Sequence, residues 1–302
     1  MYRSRASIRS AWKKLAGLLD CRTRSHPNEA KAAWLATPGW AAAMCIIPWP
    51  ALGVQLHSLV PPRRVLWALG FTVVFAVSAR LLRAVTVSGT VAGGVLAFLL
   101  FVAGGPGAFA ALIAVFLMTW ITTRTGHQRK RQLGTAEQRG GRSASQVIAN
   151  VGIAVAAALV GLVTRHPAAL VACSAALAEA AADTTSSEVG QAVSDSAYLI
   201  TNFRPVPVGT DGGISVVGTL AGIAAAVAVA SVASATRIIA WHWLLPVASA
   251  GALGMFVDSF LGATLERQRL LNNDAVNLLS TIAAALFVLF LYWSRHGEFP
   301  LP

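Results

Sequence analysis

The sequence predicts an all-α, polytopic transmembrane helical bundle of about nine spans with a cytoplasmic N-terminus. Three observations carry this. Hydrophobic residues make up 56% of the 302 and charged residues only 12%, about half the charge of a soluble globular chain. Nine apolar runs each approach the roughly 20 residues that cross a bilayer. The basic residues are also unevenly placed: eight of the 24 Lys and Arg fall in the first 33 positions and six between Arg124 and Arg142. That distribution is the signature of orientation by cytoplasmic positive charge.

Residues 1–33 are basic. Within them Ile8, Trp12, Leu15, Leu18 and Leu19 recur at helical spacing opposite Arg9, Lys13 and Lys14. This predicts a short amphipathic helix on the membrane surface, or else a solvated basic tail. The segment lacks a cleavable signal and is expected to stay attached in the cytoplasm. The apolar runs follow at 34–59, 65–83, 87–104, 107–122, 147–164, 167–182, 213–234, 239–261 and 275–293. Pro38, Pro48 and Pro50 kink the first run or make it re-entrant. Gly89, Gly93 and Gly94 suit a close helix interface in the third.

If each run spans once, the loops 123–146, 183–212 and 262–274 share the cytoplasmic side. The outer segments then keep only Arg63, Arg64, Arg165, Arg237 and Arg295. Net charge is +12. Basic loops facing anionic lipid headgroups account for it without a nucleic-acid partner. Cys21, Cys45 and Cys173 show no paired spacing, so neither a disulfide framework nor a zinc site is expected. A Walker phosphate loop, H-E-x-x-H and G-x-S-x-G are all absent.

Chemistry concentrates in residues 181–219. The chain has 12 acidic residues, and Asp183, Glu188 and Asp211 lie here among hydroxyls and glycines. Acids bordering apolar runs are costly and mark function by default. Asp183 and Glu188 are five apart, about 140° around a straight helix, so a shared site requires the helix to break between them. Glu179 does share the face of Asp183. A carboxylate cluster of this kind suits Mg²⁺ bound with substrate phosphates.

The turn Thr210-Asp211-Gly212-Gly213-Ile-Ser215, with Arg204 upstream, reads equally as a phosphate cradle or as a turn with Asp as N-cap. Asp258 lies inside an apolar run, with Glu266 beyond it, and is a third candidate ligand. The basic loop ends in Arg142, followed by Gln146 and Asn150 at i, i+4 on one helix face. Asn277 belongs to a polar entrance before the last span.

These motifs occur in a recognisable order: Gly141-Arg142…Gln146-Val-Ile-Ala-Asn150, Asp183-Thr-Thr-Ser-Ser-Glu188, Gly209-Thr210-Asp211-Gly212-Gly213-Ile-Ser215, Asp258-Ser259-Phe-Leu-Gly262, and Asn277-Leu-Leu-Ser280-Thr281. The chain resembles the DUF92 / TMEM19-like integral membrane family, over roughly residues 70 to 293. On that resemblance, residues 1–62 are a basic tail plus an added apolar span, and 63–302 are the family's transmembrane domain. The family is similar to the plant phytyl-phosphate kinase of tocopherol synthesis. The resemblance therefore implies a CTP-dependent kinase that converts a prenyl monophosphate to the diphosphate.

Expected metal ligands and catalytic residues are Asp183, Glu188 and Asp258, holding Mg²⁺. Expected phosphate-binding residues are Arg142, Gln146, Asn150, Arg204, Thr210, Asp211, Gly212, Gly213, Ser215 and Asn277. The implied partners are membrane lipids, a prenyl phosphate, and CTP or another nucleoside triphosphate, with the chain in a bacterial-type cell membrane. A transporter or flippase for a lipid phosphate or small anion is the competing reading.

Overall fold

The structure is a computed structural model and describes residues 60–136 and 140–296. The described helices belong to one compact unit starting at Pro61. The amphipathic helix expected in 1–33 and the apolar run at 34–59 lie outside the described residues.

Helix α1 (Pro62–Leu81) opens on Pro62, where a missing N–H costs nothing. Helix α2 (Val87–Arg124) is capped by the Thr86 hydroxyl, which accepts from Gly89 N. It is not straight. Gly105, at φ 79°, and Pro106 fold it into two legs. Phe101 and Phe109 meet across this fold with ring centroids 5.4 Å apart. At the far end the Trp120 indole donates to Leu82 O, beside the start of α2. The two legs therefore run antiparallel.

Helix α3 (His127–Leu133) is a short piece of the basic loop. Helix α4 (Ala144–Thr164) starts with a capping box in which Ser143 and Gln146 satisfy each other's backbone N–H groups. Helix α5 (Pro167–Val193) packs against α2, α4 and the last three long helices, and is the axis of the bundle. Its Ala-rich first half is almost entirely buried. Small side chains let neighbours approach closely where lipid offers no hydrophobic drive for helix association.

A small antiparallel sheet follows, in the order β2-β1-β3, from Ala197–Leu199 (β1), Pro205–Val206 (β2) and Gly213–Ile214 (β3). Helix α6 (Val216–Ala235), helix α7 (Leu244–Leu261), a π turn (Gly262–Glu266) and helix α8 (Asn273–His296) complete the bundle. Arg83, Arg165, Arg237 and Arg269 take the left-handed conformation just past helix ends. Basic residues are favoured at such positions, because the helix dipole ends there in its negative pole.

Nine spans are not reproduced. Among the described residues, which exclude the expected run at 34–59, six helices are long and apolar enough to cross a membrane: α1, α2, α4, α6, α8 and the segment Trp241–Glu266 that contains α7. The runs at 87–104 and 107–122 are the two legs of α2. The run at 167–182 does not stop at a loop. It continues as α5 to Val193, and it is absent from the six because its second half is polar.

The connections 82–86, 125–136, 140–143, 194–215 and 262–272 meet at one end of the bundle. Arg142 exchanges backbone hydrogen bonds with Ala84 and Thr86, each 3.0 Å. The Arg129 guanidinium reaches Ser194 O and Asp195. Gly212, at φ 72°, sits so close to Ala263 that a Cβ there would stand 2.3 Å from its backbone nitrogen. Only glycine satisfies both that angle and that approach.

Candidate functional site

Two features occupy the loop end. The first is a group of carboxylates. Glu179 lies on α5, is 1% exposed, and its Oε1 has no hydrogen-bond partner among the described residues. Asp183 follows one turn later, and its carboxyl interacts with that of Asp258 from α7. All three act electrostatically on one another, and Glu266 and Asp211 extend the acidic line toward the sheet. The Ser280 hydroxyl, from α8, donates to Asp258 Oδ2 at 3.3 Å. Gly254 makes this convergence of helices feasible, because a Cβ there would stand 2.4 Å from Glu179 Cγ.

The second feature is a cavity of about 480 Å³ between α1, both legs of α2, and α4, with Ala180 of α5 on its wall. The volume is that of a small-ligand pocket. Its walls are mainly apolar and include Phe75, Leu96, Leu112, Val115 and Phe116. Its rim is polar and cationic, with Arg83, Arg124, His127 and Arg142. Arg142 stands between the two features: its guanidinium is 3.5 Å from Thr184 Oγ1 and its charge acts on Asp183.

The expected site residues divide accordingly. Asp183 and Asp258 come together. Glu188 does not join them as expected, because α5 runs unbroken past it. Its Oε2 instead takes the Lys130 ammonium at 2.6 Å, and its Oε1 accepts from the Thr123 hydroxyl at 2.9 Å. Helical hydrogen bonding continues through the Thr-Thr-Ser-Ser segment because nothing there breaks it.

Arg142, Gln146 and Asn150 all line the cavity. Asn150 also donates to Gln146 O at 2.8 Å. Asn277 is buried on α8, and its carbonyl accepts from both Ser280 and Thr281.

The 210–213 turn is engaged in structure. Gly213 N donates to Thr210 O at 2.8 Å, Gly212 O accepts from Ile200 N, and the Thr210 hydroxyl donates to Pro207 O. The N-cap of α6 is Ser215, not Asp211. Arg204 is exposed beside β2.

Sequence reasoning left Glu179, Ser280, Lys130, Arg83 and Arg124 outside the site. The Glu179–Asp183 spacing was a readable signal for the first. Nothing local separates Lys130 from its five basic neighbours.

Among the described residues no three His, Cys, Asp or Glu side chains stand ready as a metal site. Mg²⁺, however, needs only one or two carboxylates when phosphates and water complete its shell. Asp183 and Asp258 are the carboxylates that could take such a partial role.

A multi-pass helical membrane protein with polar chemistry gathered at one end is thus the class that fold and site define. The family model described as "Integral membrane protein DUF92" matches residues 70–285, well over half the chain, and the chain belongs to that family. It is 32% identical over 199 residues to an uncharacterised membrane protein of Synechocystis, covering 63% of this chain and 76% of that one. It is 31% identical over 243 residues to Protein PGR of Arabidopsis thaliana, covering 68% and 80%. It is 27% identical over 222 residues to the chloroplastic Protein VTE6 of the same plant, covering 70% and 66%. No solved structure matches.

Proposed function

We propose that this chain is a membrane-embedded kinase that transfers a phosphoryl group from a nucleoside triphosphate to a prenyl monophosphate, giving the diphosphate. The observation that carries this reading is the cavity beside the carboxylates: apolar within, cationic at its rim, and joined to Asp183 through Arg142. A prenyl chain fits the walls and its phosphate fits the rim. The 27% identity to Protein VTE6 and the ordered motifs that resemble the family support the same substrate class, with CTP as the implied donor. The loop end faces the cytoplasm on this reading, in line with the positive charge gathered there.

The acceptor is already a phosphate, so its oxygen attacks the γ-phosphorus without a strong base. The bond from the γ-phosphorus to the β–γ bridging oxygen breaks, and the nucleoside diphosphate leaves with that electron pair. Catalysis of this kind is mostly positioning and charge neutralisation, so a Walker fold is not required. Arg142 offsets charge on the acceptor phosphate. Asp183 and Asp258, with Glu179 behind them, would hold Mg²⁺, which when bound neutralises the donor phosphates. Gln146 and Asn150 orient the phosphate end of the chain.

Purified protein in detergent with geranylgeranyl phosphate, Mg²⁺ and a panel of nucleoside triphosphates tests the proposal. Diphosphate is expected, with CTP favoured. No diphosphate with any nucleotide sinks it. The second reading, a carrier for a lipid phosphate or anion, draws on the buried Glu179 with its unpartnered oxygen. Donor-dependent turnover in detergent, where no compartments exist, separates the two.

A further inference from the structure

We infer that Arg83, Arg124 and His127 form a phosphate-reading rim, a headgroup subsite for a single-chain amphiphile separate from the carboxylates. The inference deepens the proposed function and rests on its assignment of the cavity to the substrate.

The rim is built by one junction. The Leu82 carbonyl, at the end of α1, accepts both the Trp120 indole at 3.4 Å and the Arg124 guanidinium. Arg124 also lies over the Trp120 ring, 4.7 Å from its centroid. This junction sets Arg124 beside Arg83, the next residue after Leu82. Gly126 then turns the chain in the left-handed region, and His127 opens α3 on the same rim. None of the three forms an ion pair with a carboxylate among the described residues, where only Arg129–Asp195 and Lys130–Glu188 do so.

Arg83 and Arg124 bring positive charge to one pocket, with His127 as a further polar group and no acid paired to either arginine, and such a site recruits an anion. Arginine provides planar, paired donors that match phosphate oxygens. The apolar walls below demand that the anion carry a hydrophobic chain. The carboxylates lie beyond Arg142, so the acceptor phosphate meets the cationic side and the donor approaches from the acidic side. That separation avoids setting a carboxylate against the acceptor's own charge.

The test is equilibrium binding to the full chain in detergent, without nucleotide, of three probes: geranylgeranyl phosphate, geranylgeraniol and inorganic phosphate. The ester is expected to bind at least about tenfold more tightly than the alcohol, and inorganic phosphate more weakly than either. Arg83→Gln should lose a measurable part of the ester-over-alcohol preference, Arg124 and Arg142 still acting on the phosphate, while alcohol affinity holds. Arg124→Lys keeps the charge and guards against a folding defect, and should retain part of the preference.

Equal binding of ester and alcohol to the wild type overturns the inference. So does a preference left undiminished by Arg83→Gln combined with Arg124→Gln in a protein that still binds the alcohol. Inorganic phosphate binding as tightly as the ester overturns the amphiphile class. If the preference behaves as expected but no nucleotide yields diphosphate, the kinase reading falls and the rim stands. If diphosphate forms with an unchanged KM in the Arg83→Gln protein, the rim falls and the kinase stands.

Discussion

Lys130 Nζ lies 2.6 Å from Glu188 Oε2, and the lysine has no exposed surface. The ammonium also donates to Thr122 O and Thr123 O at the end of α2. One side chain thus ties the basic loop, the second leg of α2 and the end of α5 together, behind the cavity wall that Thr123 helps to form. Breaking a buried pair leaves an uncompensated charge and costs about 3–5 kcal/mol. Lys130→Met should therefore lower the melting midpoint in detergent markedly. Adding Glu188→Gln to it should recover part of the loss. A Lys130→Met protein as stable as the wild type would contradict this role for the pair.

On the proposed reaction Asp183 and Asp258 carry the chemistry, whereas Glu188 is held in an ion pair with Lys130. If the proposed kinase reaction is correct, Asp183→Asn and Asp258→Asn should each reduce kcat by about a hundredfold or more, with little change in melting midpoint. Asp211→Asn, an exposed residue at the edge of the acidic line, should cost far less. Steady-state assays on these three proteins give the ranking. Asp183→Asn with full activity would remove the carboxylates from the mechanism.

Much of this arrangement was legible in the sequence. Long apolar runs and lopsided charge gave the bundle and the meeting of its loops, because both follow from transfer cost and not from detailed packing. The interaction of Asp183 with Asp258 was legible too, since an acid inside an apolar run is drawn to the bundle interior. What escaped was set by contacts far apart in the chain. Glu188 looked like the partner of Asp183 until a lysine 58 positions away claimed it. The sheet escaped because strands of two or three residues carry no periodicity. The 210–213 turn read equally as cradle or cap, and only the packing of Gly212 on Ala263 shows how tightly the turn is built into the fold.

The same packing makes Gly212 intolerant. Alanine there would meet the Ala263 backbone and also be held at φ 72°. The left-handed angle alone costs about 1–2 kcal/mol, and the clash adds to it. Gly212→Ala should lower the melting midpoint and expose the 194–215 segment to protease. Unchanged proteolysis would show that the sheet does not depend on this contact.

Gly254 and Gly70 give a paired test of helix packing. A methyl group at Gly254 would press on Glu179 Cγ at 2.4 Å and on Ala284 Cβ and Ser280 O, both at 3.0 Å. Overpacking of that kind costs about 1–3 kcal/mol. Gly70 on α1 has nothing within 4 Å of the same position, and alanine is the better helix former by roughly 0.5–1 kcal/mol. Gly254→Ala should therefore melt below the wild type and Gly70→Ala at or above it. Because Gly254 abuts Glu179, its alanine variant should also lose activity beyond what its stability explains, through displaced carboxylates. Equal melting of the two variants would mean that α5 and α7 do not meet as closely as the Glu179–Gly254 contact requires.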